Sequence, residues 1–513
     1  MICKILPENK TIHINKGESL LSALQGSGVH VMSPCGGKGS CKKCVIRILE
    51  GKLSPSAEDE QFFTPEELAQ GFRLSCRAYP EGDITIQIGS RDSDLSQIAA
   101  ALYGIGEIVS DKRKRNILAV DIGTTTIALA LFHADTKEVK AIYTASNHQR
   151  AYGADVISRI VAAGEGKAEE LERIVKADIA AGVKAIAQEK LPEDTELFIT
   201  GNTTMEHLLL GYDTKGLGVF PFTPVSVETY FGNWQTLFKN MDYTMPVTVM
   251  PGFTTYVGAD ILAGILACGM LRDDEASILV DLGTNGEMAL AVNGNLFITS
   301  TAAGPAFEGG NISCGMPGVS GAISKVMYRD GTFICETIGQ QPPKGICGSG
   351  VVDAVSECVK HELIDETGLL DDDYFDEGIL LAETADGKEV RLTQQDIREL
   401  QLAKSAIRAG METLMKKAGL SHADIKKIYL AGGFGQFINI DSAIGIGMFS
   451  EDLKEKIIAA GNTALAGTLY FAASADSKAL CEKALKNAVE IDLASDPDFK
   501  DGYMEYIMFG EDA

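Results

Sequence analysis

Four cysteines near the N-terminus are the residues whose type and spacing most directly suggest chemistry. Cys35, Cys41 and Cys44 follow the pattern Cys-x5-Cys-x2-Cys, and Cys76 comes after a further 31 residues. Thiolates are ligands for soft metals, so four of them in one region can hold a metal centre. Three glycines lie between Cys35 and Cys41. Glycine reaches backbone angles that other residues avoid, and a loop wrapped around a metal centre requires that freedom.

Two other uses of these cysteines compete with a redox centre. Zinc sites place cysteines in paired short knuckles, and spacings of five and 31 residues fit that pattern poorly. Disulfides belong to secreted proteins, and the first thirty residues have no signal-peptide pattern. The cysteine order resembles the cluster loop of [2Fe–2S] ferredoxins, where four thiolates hold two irons. That resemblance implies that Cys35, Cys41, Cys44 and Cys76 ligate a [2Fe–2S] cluster.

The segments around the cysteines predict a small sheet with one helix. Strand candidates are 1–5, 11–15, 45–49 and 84–88. A helix is expected to begin near Glu18. This mixture matches an α+β β-grasp ferredoxin domain, to which we assign residues 1–91. Residues 92–115 are predicted to be a linker with a short helix at 95–102.

A second chemical motif occurs twice in the remainder of the chain. In each copy an apolar strand ends in Asp-x-Gly-Thr and another apolar strand follows; the aspartates are Asp121 and Asp281. Glycine lets the backbone approach an anion closely, and successive amides form a concavity for phosphate oxygens. The aspartate supplies a hard oxygen toward Mg²⁺. One copy would fit an ordinary hairpin turn, but two copies with matched strands indicate two similar lobes.

Further glycine-rich loops could lie beside these turns. A strand at 428–431 runs into Gly432 and Gly433, and another strand runs into Gly201-Asn202-Thr203-Thr204 ahead of a helix. A helix N-terminus favours phosphate, although Thr203 or Thr204 could serve only as an N-cap. The loops at 301–310, which includes Gly304, and 345–350 could contact nucleotide or could be close-packing turns.

Together, the Asp121 turn, the Asp281 turn and the Gly432–Gly433 loop resemble the phosphate and adenosine motifs of the actin-like ATPase superfamily. The resemblance implies a two-lobed α/β core that binds ATP and Mg²⁺ in a cleft between the lobes. Alternation of strands with helical stretches argues independently for α/β architecture. We assign residues 116–256 to lobe I and residues 257–513 to lobe II.

The resemblance also implies roles for individual residues. Asp121 and Asp281 are expected to position Mg²⁺ and the attacking water, and Glu287 is a candidate for activating that water. The residues expected to contact the nucleotide are Gly123, Thr124, Thr125, Thr126, Gly201, Asn202, Thr203, Gly283, Thr284, Asn285, Gly286, Gly304, Gly432 and Gly433.

Charge and hydropathy exclude several classes of function. The net charge is −25; residues 1–91 hold 11 Lys/Arg and 10 Asp/Glu, and the rest of the chain holds 35 and 61. Such acidity argues against nucleic-acid binding. The longest apolar stretch, 261–271, is too short to span a bilayer. We therefore expect a cytoplasmic protein. Seven cysteines outside the cluster motif are expected to be reduced thiols: Cys3, Cys268, Cys314, Cys335, Cys347, Cys358 and Cys481.

A ferredoxin-like domain joined to an actin-like core resembles the reductive activators of corrinoid proteins. The segments that carry this likeness are 201–205, 281–287, 303–309 and 346–350. Some members of that family place an extra domain between cluster and core, whereas this chain has only about 25 residues there. The resemblance implies an ATPase that passes an electron from the cluster to Co(II) of a corrinoid protein and regenerates Co(I).

Other functions are compatible with the same motifs. The chain could be a small-molecule kinase with a regulatory cluster, or an electron-transfer adaptor in which nucleotide only sets a conformation. An activator of a radical dehydratase fits less well, because such proteins lack an N-terminal ferredoxin domain. An external low-potential electron donor is expected. The sequence leaves open the donor's identity, the corrinoid partner and the oligomeric state, with a homodimer as one option.

Overall fold

The computed structural model describes residues 1–6, 10–27, 44–63, 65–88, 102–109, 115–153, 155–187, 190–318, 321–385, 387–435 and 437–510. Cys35 and Cys41 lie outside the described residues, as does the predicted linker helix at 95–102 except for its last residue. A 3₁₀ turn, Ile105–Glu107, is the element described between the cluster domain and the core.

The N-terminal region is a small mixed sheet with three short helices, of which the sequence predicted the first. Its strands are β1 (Ile2–Leu6), β2 (Lys10–His13), β3 (Val45–Glu50), β4 (Phe72–Leu74) and β5 (Ile84–Ile88), and its helices are α1 (Leu20–Gly26), α2 (Ala57–Phe62) and α3 (Pro65–Ala69). The strand order is β2-β1-β5-β3-β4, with β1 antiparallel to β2 and parallel to β5. Leu20 and Leu24 of α1 pack with Ile5, Ile46 and Ile86 in the core of this region.

The first lobe is built on a six-stranded sheet. Its strands are β6 (Asn116–Ile122), β7 (Thr126–His133), β8 (Glu138–Ser146), β9 (Thr195–Gly201), β10 (Tyr230–Asn233) and β11 (Pro246–Val249), and its helices are α4 (Val156–Ala162), α5 (Ala168–Ala187), α6 (Thr203–Leu210), α7 (Lys215–Gly218) and α8 (Trp234–Phe238). Residues 117–120 of β6 are all buried, which is typical of a strand covered on both faces. Separate apolar clusters form the core on each face of the sheet.

The second lobe repeats this plan and adds peripheral strands. The strands are β12 (Ala276–Leu282), β13 (Gly286–Val292), β14 (Asn295–Thr301), β15 (Ala322–Arg329), β16 (Thr332–Thr337), β17 (Gly345–Ile346), β18 (Ile379–Glu383), β19 (Glu389–Leu392), β20 (Ile425–Ala431), β21 (Ile457–Gly461) and β22 (Ala488–Glu490). The helices from residue 259 onward are α9 (Ala259–Cys268), α10 (Gly348–Lys360), α11 (Gln394–Ala418), α12 (Gly432–Gly435), α13 (Ile440–Gly445), α14 (Thr463–Ala473), α15 (Ser477–Asn487) and α16 (Pro497–Glu505).

The two large sheets share one strand order. The first contains β11-β9-β6-β7-β8 and the second contains β21-β20-β12-β13-β14. In each sheet, the first three strands along the chain form an antiparallel meander. Two later strands lie on the other side of the first strand and run parallel to it. The repeated Asp-x-Gly-Thr motif therefore lies at the same place in both sheets, on the turn between the first and second strands.

A pair of helices, α9 and α14, lies between the two sheets. Apolar residues of both helices pack with the first sheet, and other apolar residues of α9 pack with the second sheet. The helices approach so closely that a Cβ on Gly467 would meet the carbonyl oxygen of Ala263 at 1.8 Å. Glycine is required at this crossing because any side chain there would force the helices apart. The crossing brings the N-terminal ends of both helices to the cleft between the lobes.

Predicted and observed elements agree in type. The predicted strands at 45–49, 84–88 and 428–431 lie within β3, β5 and β20. The structure contradicts one alternative that the sequence left open: the N-cap of α6 is Asn202, whose side chain accepts from the amide of Met205, and not Thr203 or Thr204. The asparagine oxygen reaches the third helical amide because Asn202 has extended backbone angles.

Candidate nucleotide cleft and cluster site

The first phosphate turn follows β6 and is held by side chains of its own lobe. Asn147 Nδ2 donates to the carbonyl oxygen of Gly123 at 2.9 Å, and the Asn147 amide donates to that of Thr125 at 3.0 Å. Asn202 Nδ2 donates to the hydroxyl of Thr124 at 3.1 Å. These bonds fix a turn whose carbonyl groups point into the protein.

Arg159 of α4 completes the support of this turn. Its guanidinium is fully buried and donates to the carbonyl oxygens of Thr124 and Gly153, the latter at 3.0 Å. It also lies 3.3 Å from the side-chain oxygen of Gln149. Burial lowers the pKa of Arg159 to about 10, so the side chain is a buried cation at neutral pH. Its positive charge lies directly behind the turn that is expected to hold phosphate.

The second phosphate turn follows β12 and has acidic surroundings. Asp281 stands directly opposite Glu287 across the hairpin, whereas Asp121 stands opposite Ala128 in the first lobe. Gly432 begins α12 in the left-handed region, with φ +84, and a Cβ there would meet Asp281 Oδ1 at 2.7 Å. Only glycine fits between this carboxylate and the start of α12.

Acidic side chains crowd the floor of the cleft. Burial raises the pKa of Asp121 and Asp281 to about 7 and that of Asp260 to about 6. Burial also raises the pKa values of Glu206 and Glu287 well above their ordinary range, and the charge of Asp260 adds to both shifts. One carboxylate oxygen of Glu206 is buried without a hydrogen-bond partner among the described residues. Such crowding disfavours the ionised forms unless a cation is present.

The chemistry of this donor set fits Mg²⁺. Carboxylate oxygens are ligands that Mg²⁺ prefers, and the ion usually keeps several waters and binds substrate phosphates rather than an all-protein cage. Among the described residues, no group of three or more His, Cys, Asp or Glu side chains converges closely enough to form such a cage. An ion here would therefore complete its coordination with phosphate and water.

The crossing helices each bring one polar residue to the aspartates of the two turns. Asn462, the N-cap of α14, donates to Asp121 Oδ2 at 2.8 Å and also accepts from the amide of Leu465. Asp260, in the first turn of α9, raises the pKa of Asp281 through its charge. The charge of Asp260 also raises the pKa of Asp121, so this carboxylate acts on the aspartates of both lobes, whereas Asn462 hydrogen-bonds to Asp121.

Glu308 joins the two turns across the cleft. Its carboxylate accepts from the hydroxyl of Thr284 at 2.7 Å and from that of Thr125 at 3.3 Å. Sequence reasoning missed Glu308 although it lies within the glycine-rich loop at 301–310. The same reasoning missed Asp260, Asn462 and Arg159, because none of these residues belongs to a phosphate-loop pattern.

Not every predicted contact residue points its side chain into the cleft. The hydroxyl of Thr203 donates to the carbonyl oxygen of Thr254 at 2.6 Å. This hydroxyl is therefore bonded to the loop that precedes α9. The side chain of Asn285 is hydrogen-bonded to Glu287. Gly304 and Gly433 have open space where a side chain would be. The remaining predicted glycines, Gly123, Gly201, Gly283 and Gly286, all lie at or beside the two turns.

The N-terminal region brings two of the four motif cysteines together. Cys44 precedes β3, Cys76 lies in the turn after β4, and the amide of Ser75 donates to the carbonyl oxygen of Cys44 at 2.8 Å. Both thiols are buried in the apolar core. The hydroxyl of Ser75 is also buried, with no hydrogen-bond partner among the described residues. The neighbouring thiols of Cys44 and Cys76, with the Ser75 hydroxyl as a hydrogen-bond donor beside them, fit a cluster whose sulfurs accept hydrogen bonds.

Three protein-family models match successive parts of the chain. A 2Fe-2S iron–sulfur cluster binding domain matches residues 3–81, the RACo middle region matches residues 117–273, and the C-terminal domain of RACo, the ASKHA domain, matches residues 275–512. The predicted fold class, a β-grasp ferredoxin domain followed by a two-lobed actin-like core, is confirmed. No helix in the described ranges is both long and apolar enough to cross a membrane.

Similar proteins match most of this chain or nearly all of it. The corrinoid activation enzyme RamQ of Eubacterium limosum is 30% identical over 96% of this chain and 97% of its own length. The Co(II) methylated amine-specific corrinoid protein reductase of Methanosarcina barkeri is 27% identical over 68% of each chain. A solved structure, the reductive activator for corrinoid,iron-sulfur protein, has a TM-score of 0.69 at 27% identity and covers 99% of this chain and 98% of that one. The chain belongs to the family of corrinoid activation enzymes.

Proposed function

We propose that this protein uses ATP to reduce the Co(II) corrinoid of a partner protein to Co(I), with a [2Fe–2S] cluster in its N-terminal domain as the source of the electron. One observation carries the proposal. A single chain joins a ferredoxin domain to a cleft with two phosphate turns, and the relative RamQ, named a corrinoid activation enzyme, matches it over nearly the full length of both chains.

The N-terminal residues would hold the cluster. Cys35, Cys41, Cys44 and Cys76 are the proposed ligands, and a cluster of this type supplies one electron at a time near −400 mV, roughly the value of plant-type ferredoxins. Burial of Cys44 and Cys76 in an apolar core keeps water away from the site. Cys3 lies on β1 opposite Ile12 and Ile84, and burial raises the pKa of its thiol to about 11, as expected for a structural thiol.

The cleft residues would bind Mg²⁺ and ATP. Asp121 and Asp281 would position Mg²⁺, and the amides of the two turns would hold phosphate. Glu287 is a candidate for accepting a proton from the attacking water, because a carboxyl with a raised pKa is a better base near neutral pH. Gly432 and Gly433 would lie beside the nucleoside, where their lack of side chains leaves room for it.

ATP is needed because the electron transfer is uphill. The Co(II)/Co(I) couple lies below that of common donors, and about 100 mV of deficit corresponds to about 2.3 kcal/mol for one electron. Closure of the two lobes around ATP can supply binding energy of that size. We propose that the closed form holds the Co(II) corrinoid protein and raises the cobalt potential, and that hydrolysis releases the reduced partner.

Other features of the scheme remain proposals from the sequence. They are an external low-potential electron donor, a homodimeric assembly, a cytoplasmic location, and the domain limits 1–91, 92–115, 116–256 and 257–513. The donor must reduce the cluster again after each transfer, because the cluster holds one electron at a time.

The test is to follow the visible spectrum of a Co(II) corrinoid protein mixed with this protein, a low-potential reductant and Mg·ATP. We expect the Co(I) bands to form with ATP and to be absent without it. Cys41→Ser should abolish the change by damaging the cluster, and Asp281→Ala by damaging the nucleotide site. A phosphorylated small-molecule product without Co(I) would instead favour the kinase alternative, and Co(I) formation without ATP hydrolysis would favour the adaptor.

A further inference from the structure

An apolar surface lies on the first lobe outside the nucleotide cleft. It consists of residues 219–225, which we name the apolar loop, together with Tyr256. Phe220 is 82% exposed, and Val219 and Val225 are each 58% exposed. The ring centroids of Phe220 and Phe222 lie 6.0 Å apart, and those of Phe222 and Tyr256 lie 5.5 Å apart. Contiguous exposed aromatic side chains of this kind mark interaction sites.

The apolar loop has a fixed backbone. Phe222 adopts the left-handed region with φ 57, which a bulky residue rarely does unless its surroundings impose it. Its amide donates to the carbonyl oxygen of Val219 at 2.8 Å, and its own carbonyl oxygen accepts from the hydroxyl of Thr255. A surface that is already ordered loses little conformational entropy when a partner binds.

Hydrogen bonds connect the apolar loop to the first phosphate turn. The amide of Val225 donates to Nε2 of His207, and Nδ1 of that ring is 2.8 Å from the carbonyl oxygen of Thr203. Nδ1 therefore carries the proton that the carbonyl accepts. Thr203 follows Asn202, which donates to Thr124 in the turn. A change in the turn on nucleotide binding can thus be passed through α6 to the loop.

The same surface also lies at the seam between the lobes. The hydroxyl of Thr254 donates to Glu490 of β22 at 2.8 Å, and β22 belongs to the second sheet. The exposed carboxylates of Glu490 and Asp492 act on the neighbouring Tyr256, whose pKa is raised by burial and by these two charges. The apolar surface therefore has an acidic border that belongs to the second lobe.

We propose that the Co(II) corrinoid protein docks on the apolar loop and Tyr256, through a patch on the partner that has an apolar centre and a basic border. This inference rests on the proposed function and adds to it the place of contact. The acidic border determines the partner's charge by complementarity. The position across the lobe seam makes docking depend on nucleotide, which a permanent contact between two copies of this chain would not require.

The experiment measures the affinity for a purified corrinoid protein in its Co(II) state, with Mg²⁺ and a non-hydrolysable ATP analogue, and compares Phe220→Asp with the unchanged protein. We expect affinity to fall about 30-fold, as for removal of an interface anchor. Met504→Asp is the matched control: Met504 is 66% exposed on α16, and its replacement should leave affinity unchanged. His207→Gln should reduce the difference in affinity between nucleotide-bound and nucleotide-free protein.

The Phe220→Asp and Met504→Asp variants must keep the cluster absorbance and the basal rate of ATP hydrolysis. Unchanged affinity and unchanged Co(I) formation in Phe220→Asp would overturn the docking site and leave the proposed function standing. If the unchanged protein sediments as a dimer and Phe220→Asp as a monomer, a second copy occupies the surface and the proposal is wrong. If the unchanged protein binds the corrinoid protein through Phe220 without reducing it, the docking site stands and the proposed function fails.

Discussion

The two phosphate turns occupy equivalent places in the two lobes, yet opposite kinds of side chain surround them. Behind the first turn lie a buried cation, Arg159, and the amide side chains of Asn147 and Asn202. Beside the second turn lies the carboxylate of Glu287, while the charge of Asp260 acts on the aspartates of both turns. The difference arises in part from single positions, because the hairpin partner is alanine in one lobe and glutamate in the other.

This comparison separates two tasks that a nucleotide cleft must perform. The buried cation and donors behind the first turn suit phosphate, whereas the facing carboxylates of Asp281 and Glu287 at the second turn favour a cation. We infer that Mg²⁺ binds nearer Asp281 than Asp121 and that the second lobe carries the hydrolytic chemistry. The following predictions, from the largest expected effect to the smallest, test that asymmetry.

Replacement of the two aspartates should have unequal consequences. Asp281→Asn should lower the rate of ATP hydrolysis by about 10²–10³-fold, comparable to the loss of one group that stabilises a transition state. Asp121→Asn should have a smaller effect on the rate, because Asp121 is paired with the neutral Asn462. Phosphate release with and without a corrinoid protein measures both. Equal losses, or a larger loss in Asp121→Asn, would contradict the assignment.

Replacement of the buried cation of the first lobe should weaken nucleotide binding. Arg159→Met leaves the carbonyl groups of Thr124 and Gly153 without their donor, so we expect Mg·ATP affinity to fall about tenfold and the free energy of unfolding to fall by about 3 kcal/mol. Titration calorimetry and urea unfolding measure these quantities. The matched control is Lys404→Met, which removes a buried amine of the second lobe that contacts the C-terminal segment and should leave ATP affinity unchanged.

Substitution of Asp260 and Asn462, which lie at the helix crossing, should change the negative charge around the two aspartates. Asp260→Asn removes a negative charge that acts on Asp281 and Asp121, and it should raise the Mg²⁺-free free energy of unfolding by about 1 kcal/mol. Asn462→Asp adds a charge beside Asp121 and should lower it by a similar amount. Thermal unfolding with and without Mg²⁺ tests both changes. If the two substitutions shift stability in the same direction, charge crowding is not the cause.

The lowered pKa of Lys404 should be visible in the pH dependence of the free energy of unfolding. Burial lowers the pKa of Lys404 from 10.5 to about 7. Between these values the unfolded chain binds more protons, so this residue makes the free energy of unfolding rise with pH, by at most about 1.4 kcal/mol per pH unit. The penalty of burying the charged form is fully present below pH 7. Urea unfolding between pH 7 and 9 should show this rise in the unchanged protein and a flatter profile in Lys404→Met; identical slopes would disprove the assignment.

Local patterns predicted the parts of the molecule that depend on local sequence. The strand, turn and strand around Asp121 and Asp281 are continuous in the chain, so residue order alone indicates both the hairpins and the phosphate turns. The cysteine spacing predicted the ferredoxin domain for the same reason. The family comparison confirms this fold class.

Tertiary packing determined what the sequence could not predict. Asp260 and Asn462 reach the cleft only because α9 and α14 cross closely at Gly467, which no local pattern encodes. Arg159 lies on an ordinary helix and reaches the first turn only after that helix packs against the sheet. The assignment of Thr203 to the cleft was made from its position, but its hydroxyl bonds to Thr254, since the helix cap is one residue earlier.

The most direct test of the account is a single turnover that follows the cluster and the corrinoid at once. Pre-reduced protein, freed of external reductant, is mixed with a Co(II) corrinoid protein and Mg·ATP while visible absorbance is recorded. We predict that equal amounts of oxidised cluster and Co(I) form together, and that neither forms without ATP or in Asp281→Asn. Co(I) formation at the same rate and extent without ATP, or without loss of cluster reduction, would contradict the coupling of nucleotide cleft and iron–sulfur domain.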